Sequence, residues 1–194
     1  MGSMASTTGS RGPSEARARL IRTATELFYA EGITAVGVER LIAEAGVTRV
    51  TFYRHFPSKE DLVLAYLQAE DEAIQGAFAA AAASGAEPRA LVELVIQALG
   101  DDIERQHTRG CPFINAAAEY PDASSPIRKK IAEHREWFRS TLEQVITAAE
   151  LPDPAEKAGA LVLLRDAAMV GGYLDGPEAV RPTFERTARE VLGV

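Results

Sequence analysis

Between Thr48 and His55 the chain sets Arg49, Val50, Thr51, Tyr53, Arg54 and His55 around Phe52, with Phe56 following four residues after Phe52. Guanidinium, hydroxyl, imidazole and methyl groups hydrogen-bond base edges and phosphates or touch thymine methyls. Two phenylalanines four apart can hold the other side of a short helix. The residues upstream supply the frame for it. Val38, Leu41, Ile42 and Ala45 recur at helical spacing, Gly46 permits a tight turn, and Val47 can drop between two helices. Thr48 is placed to cap the next helix, because its hydroxyl can accept from a backbone amide that has no helical partner. The whole segment from Val38 to Leu62 fits a helix-turn-helix followed by a third, capped helix.

Other chemistries are weakly supported. Cys111, with His107 or His134, would be the nucleophile and base of a cysteine hydrolase, but Cys111 precedes a proline in a turn and no third group is evident to orient the base. The same three residues do not have compact zinc spacing, and there is no glycine-rich phosphate loop. Neither an enzyme nor a metal or cofactor site is expected.

The 194 residues carry a net charge of −7, which is unevenly divided. Residues 1–60 hold eight Lys or Arg against six Asp or Glu, a balance of +2, whereas residues 61–194 hold thirteen against twenty-two, a balance of −9. Acidity therefore lies away from the candidate reader, and Arg11, Arg17, Arg19 and Arg22 add a basic arm and first-helix face. Met1-Gly2-Ser3 ahead of Met4 resembles a cloning remnant, and residues 1–13 are expected to be disordered. No apolar run approaches the roughly 18 residues of a membrane span and no secretory signal is evident, so a cytoplasmic protein without membrane contact is expected.

Glycine, proline and capping residues divide the rest into helices, with no strand pattern, which predicts an all-α chain of nine helices. Ser14 is expected to cap a helix running to about Glu31, and Gly32 to end it. Ser58 and Asp61 form a start like a capping box for a fourth helix reaching about Ala83. Glu87-Pro88, Ser125-Pro126, Asp153-Pro154 and Gly176-Pro177 place proline at a first helical position, announcing helices near 88–106, 126–149, 154–174 and 177–192. A short helix within 110–119 completes the count.

The helix 154–174 carries Leu161, Val162, Leu164, Met169 and Val170 among small residues including Ala168 and Gly172. Apolar groups on nearly all sides imply burial on more than one side, most simply in a homodimer. Leu161, Arg165, Ala168 and Gly172 are the expected interface residues, with Arg165 and Asp166 paired within or across it.

The run Ala45-Gly46-Val47, Thr51-Phe52-Tyr53, Phe56, Lys59 and Leu62, with Gly32 upstream, resembles the DNA-binding domain of the tetracycline repressor (TetR) family across about residues 14–65. Two departures are Val50, where many members carry a small residue, and Val36-Gly37, where a Ser or Thr usually caps the second helix. The resemblance implies a nine-helix architecture: a helix-turn-helix domain over 14–57 and a ligand-binding and dimerisation domain over 58–194. It implies a regulator, most often a repressor, released from a palindromic double-stranded DNA operator by a small organic effector. Arg17, Thr48, Arg49, Val50, Thr51, Tyr53, Arg54, His55 and Lys59 are the expected DNA contacts, Tyr53 and Lys59 on phosphates. The effector cavity would lie among the fourth to eighth helices, where Tyr66, Phe78, Phe113, Asn115, Tyr120, His134, Trp137 and Met169 are the candidate lining and Phe138 is assigned to the core. A sensor or interaction module of the same fold without operator binding is the alternative reading, and the cysteine hydrolase a distant one.

Overall fold

A computed structural model of the chain describes residues 13–106 and 108–194. The expected disordered arm, Pro13 excepted, and His107 lie outside the described residues. Among the described residues there are nine α-helices and one π turn, and no strand: α1 Pro13–Glu31, α2 Val38–Ala45, α3 Arg49–His55, α4 Lys59–Ala82, α5 Pro88–Asp101, the π turn Asp102–Gln106, α6 Pro112–Glu119, α7 Pro126–Ala148, α8 Pro154–Asp175 and α9 Pro177–Leu192. The all-α expectation holds. It differs at two places: α1 starts at Pro13, ahead of the expected Ser14 cap, and the last turn of the expected 88–106 helix widens into the π turn.

By its contacts the chain divides into two compact units, Met1–Tyr66 and Leu67–Val194. In the first, Leu20, Ala24 and Phe28 of α1, Leu41 of α2, Phe52 and Phe56 of the α3 segment, and Leu62 at the start of α4 are all buried, with α1 packed on α2 and α3. Each large side chain taken from water there is worth roughly 1.5–3 kcal/mol. The connections are set by local chemistry. Gly32 ends α1 at φ 93° and Gly46 ends α2 at φ 61°, left-handed values that cost a residue with a Cβ. Thr48 Oγ1 accepts from the Thr51 amide at 3.1 Å, as its type and position require of a cap. Ser58 and Asp61 exchange their bonds, Ser58 N to Asp61 Oδ2 at 2.9 Å and Asp61 N to Ser58 Oγ at 3.2 Å. Gly37 stands at the start of α2 with no side-chain cap.

In the second unit α8 packs most extensively against α9 and α7, and α5 against α9 and α7. Ile127, Ile131, Phe138, Leu142 and Ile146 of α7, Leu161, Val162 and Met169 of α8, and Phe184, Ala188 and Leu192 of α9 are buried in the core. All four expected proline starts are present; only Ser125 adds a side-chain cap, accepting from the Arg128 amide at 3.2 Å.

Candidate functional site

The α3 helix divides cleanly into a buried and an outward side. Phe52 is fully buried, its ring edge-on to Tyr53 with centroids 5.1 Å apart and tilted on Phe56 at 6.3 Å. Outward stand Arg49, Val50, Tyr53 and Arg54, with Val50 77% exposed. An apolar side chain so exposed at the start of a helix has no packing role in the chain, and its methyls are free to meet a thymine methyl. Thr48 is exposed, Thr51 and His55 half-buried, and the Thr48 and Thr51 hydroxyls lie 2.9 Å apart, so these two threonines serve the helix start as well as the surface. His55 Nε2 is buried without a hydrogen-bond partner. Arg17 is exposed on α1 with its guanidinium 5.4 Å from the Phe56 ring centroid. Arg19, by contrast, donates from Nε to the Ala45 carbonyl at 3.1 Å and ties α1 to α2.

Lys59 departs from expectation. Its ammonium donates to the Ile33 carbonyl at 2.5 Å and lies 5.9 Å from the Phe28 ring centroid. The motif suggested a phosphate anchor; the structure turns the charge inward onto the loop after α1. The residue type was right for a cation, but a four-carbon stem lets the head fold back onto a carbonyl. Lys59→Ala is therefore expected to leave the salt dependence of DNA binding unchanged while lowering stability by about 1.5–3 kcal/mol, the range for a hydrogen bond from a charged donor. Salt titration and thermal melting test the two halves separately.

The second unit holds a cavity of about 280 Å³. One wall is the α4 stripe Glu70, Ala73, Ile74, Ala77, Phe78 and Ala81; the other is Leu94, Val95, Ala98 and Leu99 of α5, with Asp101 and Asp102 leading into the π turn. Alanines at the i, i+4 and i+8 positions of α4, opposite another on α5, leave the space that leucines would fill. Of the expected ligand residues only Phe78 lines it. Trp137 stands directly behind, edge-on to Phe78 at 5.7 Å. The others are placed elsewhere. Tyr66 is buried in the first unit, edge-on to Phe28 at 5.8 Å, and is a core residue there. Phe113 stacks on His134 with centroids 3.7 Å apart. Asn115 Nδ2 donates to the Arg109 carbonyl at 3.0 Å, the Tyr120 carbonyl accepts from Arg128 at 3.2 Å, and Met169 is buried in α8. Apart from Phe78 the lining carries neither the aromatic nor the amide groups expected of it; the small-residue stripe on α4 was the signal available in the sequence.

His134 is engaged structurally. Its Nδ1 lies 2.8 Å from Asp71 Oδ1, and Lys130 Nζ donates to Asp71 Oδ2 at 2.6 Å, tying α4 to α7. Burial pushes the imidazole below its ordinary value of 6.5, outweighing the Asp71 hydrogen bond. Burial alone would raise the Asp71 carboxyl, but hydrogen bonds from Lys130, His134 and Gln75 more than offset it and leave the group below its ordinary 3.8. Cys111 is buried with the Arg165 guanidinium as a charged neighbour, and His134 is held by Asp71. The Cys111–His134 pairing of the hydrolase reading is thus not assembled. Among the described residues no group of three or more His, Cys, Asp or Glu is placed to hold a metal ion.

The interface expectation also needs correction. Leu161, Arg165, Ala168 and Gly172 are all buried within their own chain. A Cβ at Gly172 would lie 3.1 Å from Ile103 Cγ2, and Arg165 sits 5.7 Å from the Phe138 ring centroid with Asp102 at 3.6 Å and Asp166 at 3.5 Å. These side chains pack α8 onto its neighbours. The opposite face is the one left open: Leu163 is 70% and Leu174 71% exposed, and Ala167, Val170 and Tyr173 between them are exposed too.

Residues 20–66 match the family model described as bacterial regulatory proteins, tetR family, and residues 86–158 that of the tetracyclin repressor-like C-terminal domain. The solved structure of SCO4454, a TetR-family transcriptional regulator from Streptomyces coelicolor, is 44% identical over 92% of this chain and 95% of that one, with a TM-score of 0.87. The chain belongs to the TetR family. It is a helix-turn-helix transcriptional regulator of that family. The regulator LmrA of Bacillus subtilis (strain 168) is 26% identical over 82% of the chain and 85% of its own length. TcmR of Streptomyces glaucescens is 44% identical over 61 residues, a match that spans 31% of this chain and 27% of TcmR. Among the described residues of this TetR-family chain, no helix is long and apolar enough to cross a membrane.

Proposed function

We propose that this TetR-family regulator represses by binding a palindromic DNA operator as a homodimer in the cytoplasm, and that a small organic effector held between α4 and α5 releases it. The DNA-binding domain would comprise residues 14–57 and the effector and dimer domain 58–194. The observation that carries the DNA part is the outward face of α3, Arg49, Val50, Tyr53 and Arg54, held from behind by Phe52. Thr48, Thr51, His55 and Arg17 flank it. The effector part rests on the cavity: walls of alanine, isoleucine, leucine and phenylalanine with carboxylates at one end suit a compact, largely apolar molecule with a polar end. The helix that lines it, α4, starts at Lys59 with the capping box of the reading unit. A ligand that favours one position of α4 over another can change DNA affinity only through its unequal affinity for the two states.

The test fills the cavity. Ala77→Trp should retain operator binding, found by selection from randomised DNA, and abolish its release by any compound that releases the wild type from the same DNA. A variant that is still released with unchanged sensitivity places the effector elsewhere.

A further inference from the structure

Glu39 and Arg49 form an ion pair that joins the first turn of α2 to the first residue of α3. Both side chains are about two-thirds exposed, 70% and 65%, and an exposed pair of this kind contributes little to stability. Its place is what matters. The N-terminal residues of a recognition helix are those that reach base edges, and Arg49 is the first of them. A carboxylate on the same face of a DNA-binding unit repels phosphates and so weakens attachment to every sequence alike. Among the described residues no carboxylate is held against Arg54 in this way, so the arrangement singles out one arginine.

We propose that Glu39 is a positioning residue for base recognition: it holds the Arg49 guanidinium beside α2, so that Arg49 meets a base edge instead of the nearest phosphate. The inference rests on the reading of α3 as the DNA-contacting helix. An arginine free to swing serves any phosphate, whereas one fixed in direction presents its fork of donors to a particular acceptor pattern, as in the bidentate contact with guanine. Glu39 has a competing role. Gly37 gives α2 no side-chain cap, and an acidic residue in the first turn favours the helix end by itself.

The experiment compares Glu39→Gln, Glu39→Asp, Arg49→Ala and the Glu39→Gln, Arg49→Ala double variant in the full chain, by selection from randomised DNA and by salt titration on unrelated DNA. Aspartate keeps the charge at the start of α2 but draws the carboxylate back by one methylene. Glu39→Gln and Glu39→Asp should both relax preference at the half-site position that Arg49→Ala relaxes. Glu39→Gln should also tighten binding to unrelated DNA severalfold, with a salt slope steeper by about one unit. In the Arg49→Ala background Glu39→Gln should change the selected sequence no further, leaving only the tightening on unrelated DNA that follows from removing its repulsion of phosphates. Glu39→Asp behaving as wild type would assign the carboxylate to the helix end and overturn the proposal. An undiminished effect on sequence preference in the Arg49→Ala background would overturn it too, making Glu39 a direct contact. If Arg49→Ala itself leaves the selected sequence unaltered, the α3 reading fails; if Arg49→Ala alters it and Glu39→Gln does not, only the role of Glu39 fails.

Discussion

Glutamate at both Leu163 and Leu174 should leave a folded, helical chain that sediments as a monomer and no longer distinguishes its operator from unrelated DNA. The two leucines mark the ends of an outward stripe on α8 that includes Ala167 and Val170, at spacings of four, three and four residues. That spacing keeps them on one side of the helix. Such a stripe of apolar groups, left uncovered in the single chain, is the face a second copy would cover. Charges placed there cost several kcal/mol each if the interface is dry. They cost the lone chain almost nothing, because both positions are already wet. This separates the outcome from misfolding, which substitutions at Ala168 or Gly172 could not do, since those two pack inside the chain. Specific sites are bound about 10³–10⁷-fold more tightly than random DNA, and a regulator reading two half-sites owes that ratio to both heads engaging one duplex. Sedimentation equilibrium and gel shifts on the wild type's selected operator measure the two consequences. A double variant that remains fully dimeric would move the interface off this face.

How much of this was legible in the sequence depended on whether one local interaction decided the matter. The Thr48 cap, the Ser58–Asp61 exchange and the proline starts follow from side chains reaching amides within a turn, and the structure has them all. The outward face of α3 followed from Phe52 and Phe56. The buried face of α8 did not, because leucine, valine, alanine and glycine surround that helix and no polar side marks the solvent; only packing against α7 and α9 chooses between its faces. Lys59 was misplaced for a related reason. Its position in the motif was plain, but the destination of a flexible stem depends on the Ile33 carbonyl, twenty-six residues away. The cavity was missed because it is made of absent volume, which alanines signal only when two helices are known to face each other. Tyr66 fell on the wrong side of a division that runs through α4.

The Asp71, Lys130 and His134 group gives the remaining large effect. Asp71→Ala should lower unfolding stability by about 3 kcal/mol, near the low end of the range for removing one partner of a buried charged pair, because Lys130 keeps some access to water. His134 has none to speak of; its ring is sandwiched on Phe113 and loses the acceptor of its Nδ1. Acid should act on the wild type in the same direction and in two steps. Both groups hold a proton less tightly in the folded chain than in the unfolded one, so falling pH favours unfolding. The contribution governed by His134 is complete above its ordinary 6.5 and declines as pH drops below it; that of Asp71 is complete above 3.8 and is lost as pH passes down through its depressed value. Urea unfolding of both proteins across this range measures the effect. In Asp71→Ala the carboxylate step should be smaller than in the wild type. Equal stability of the two proteins at pH 7 would show that the link between α4 and α7 does not hold α4 in place, and α4 would then need another anchor before it could relay an effector to the reading helices.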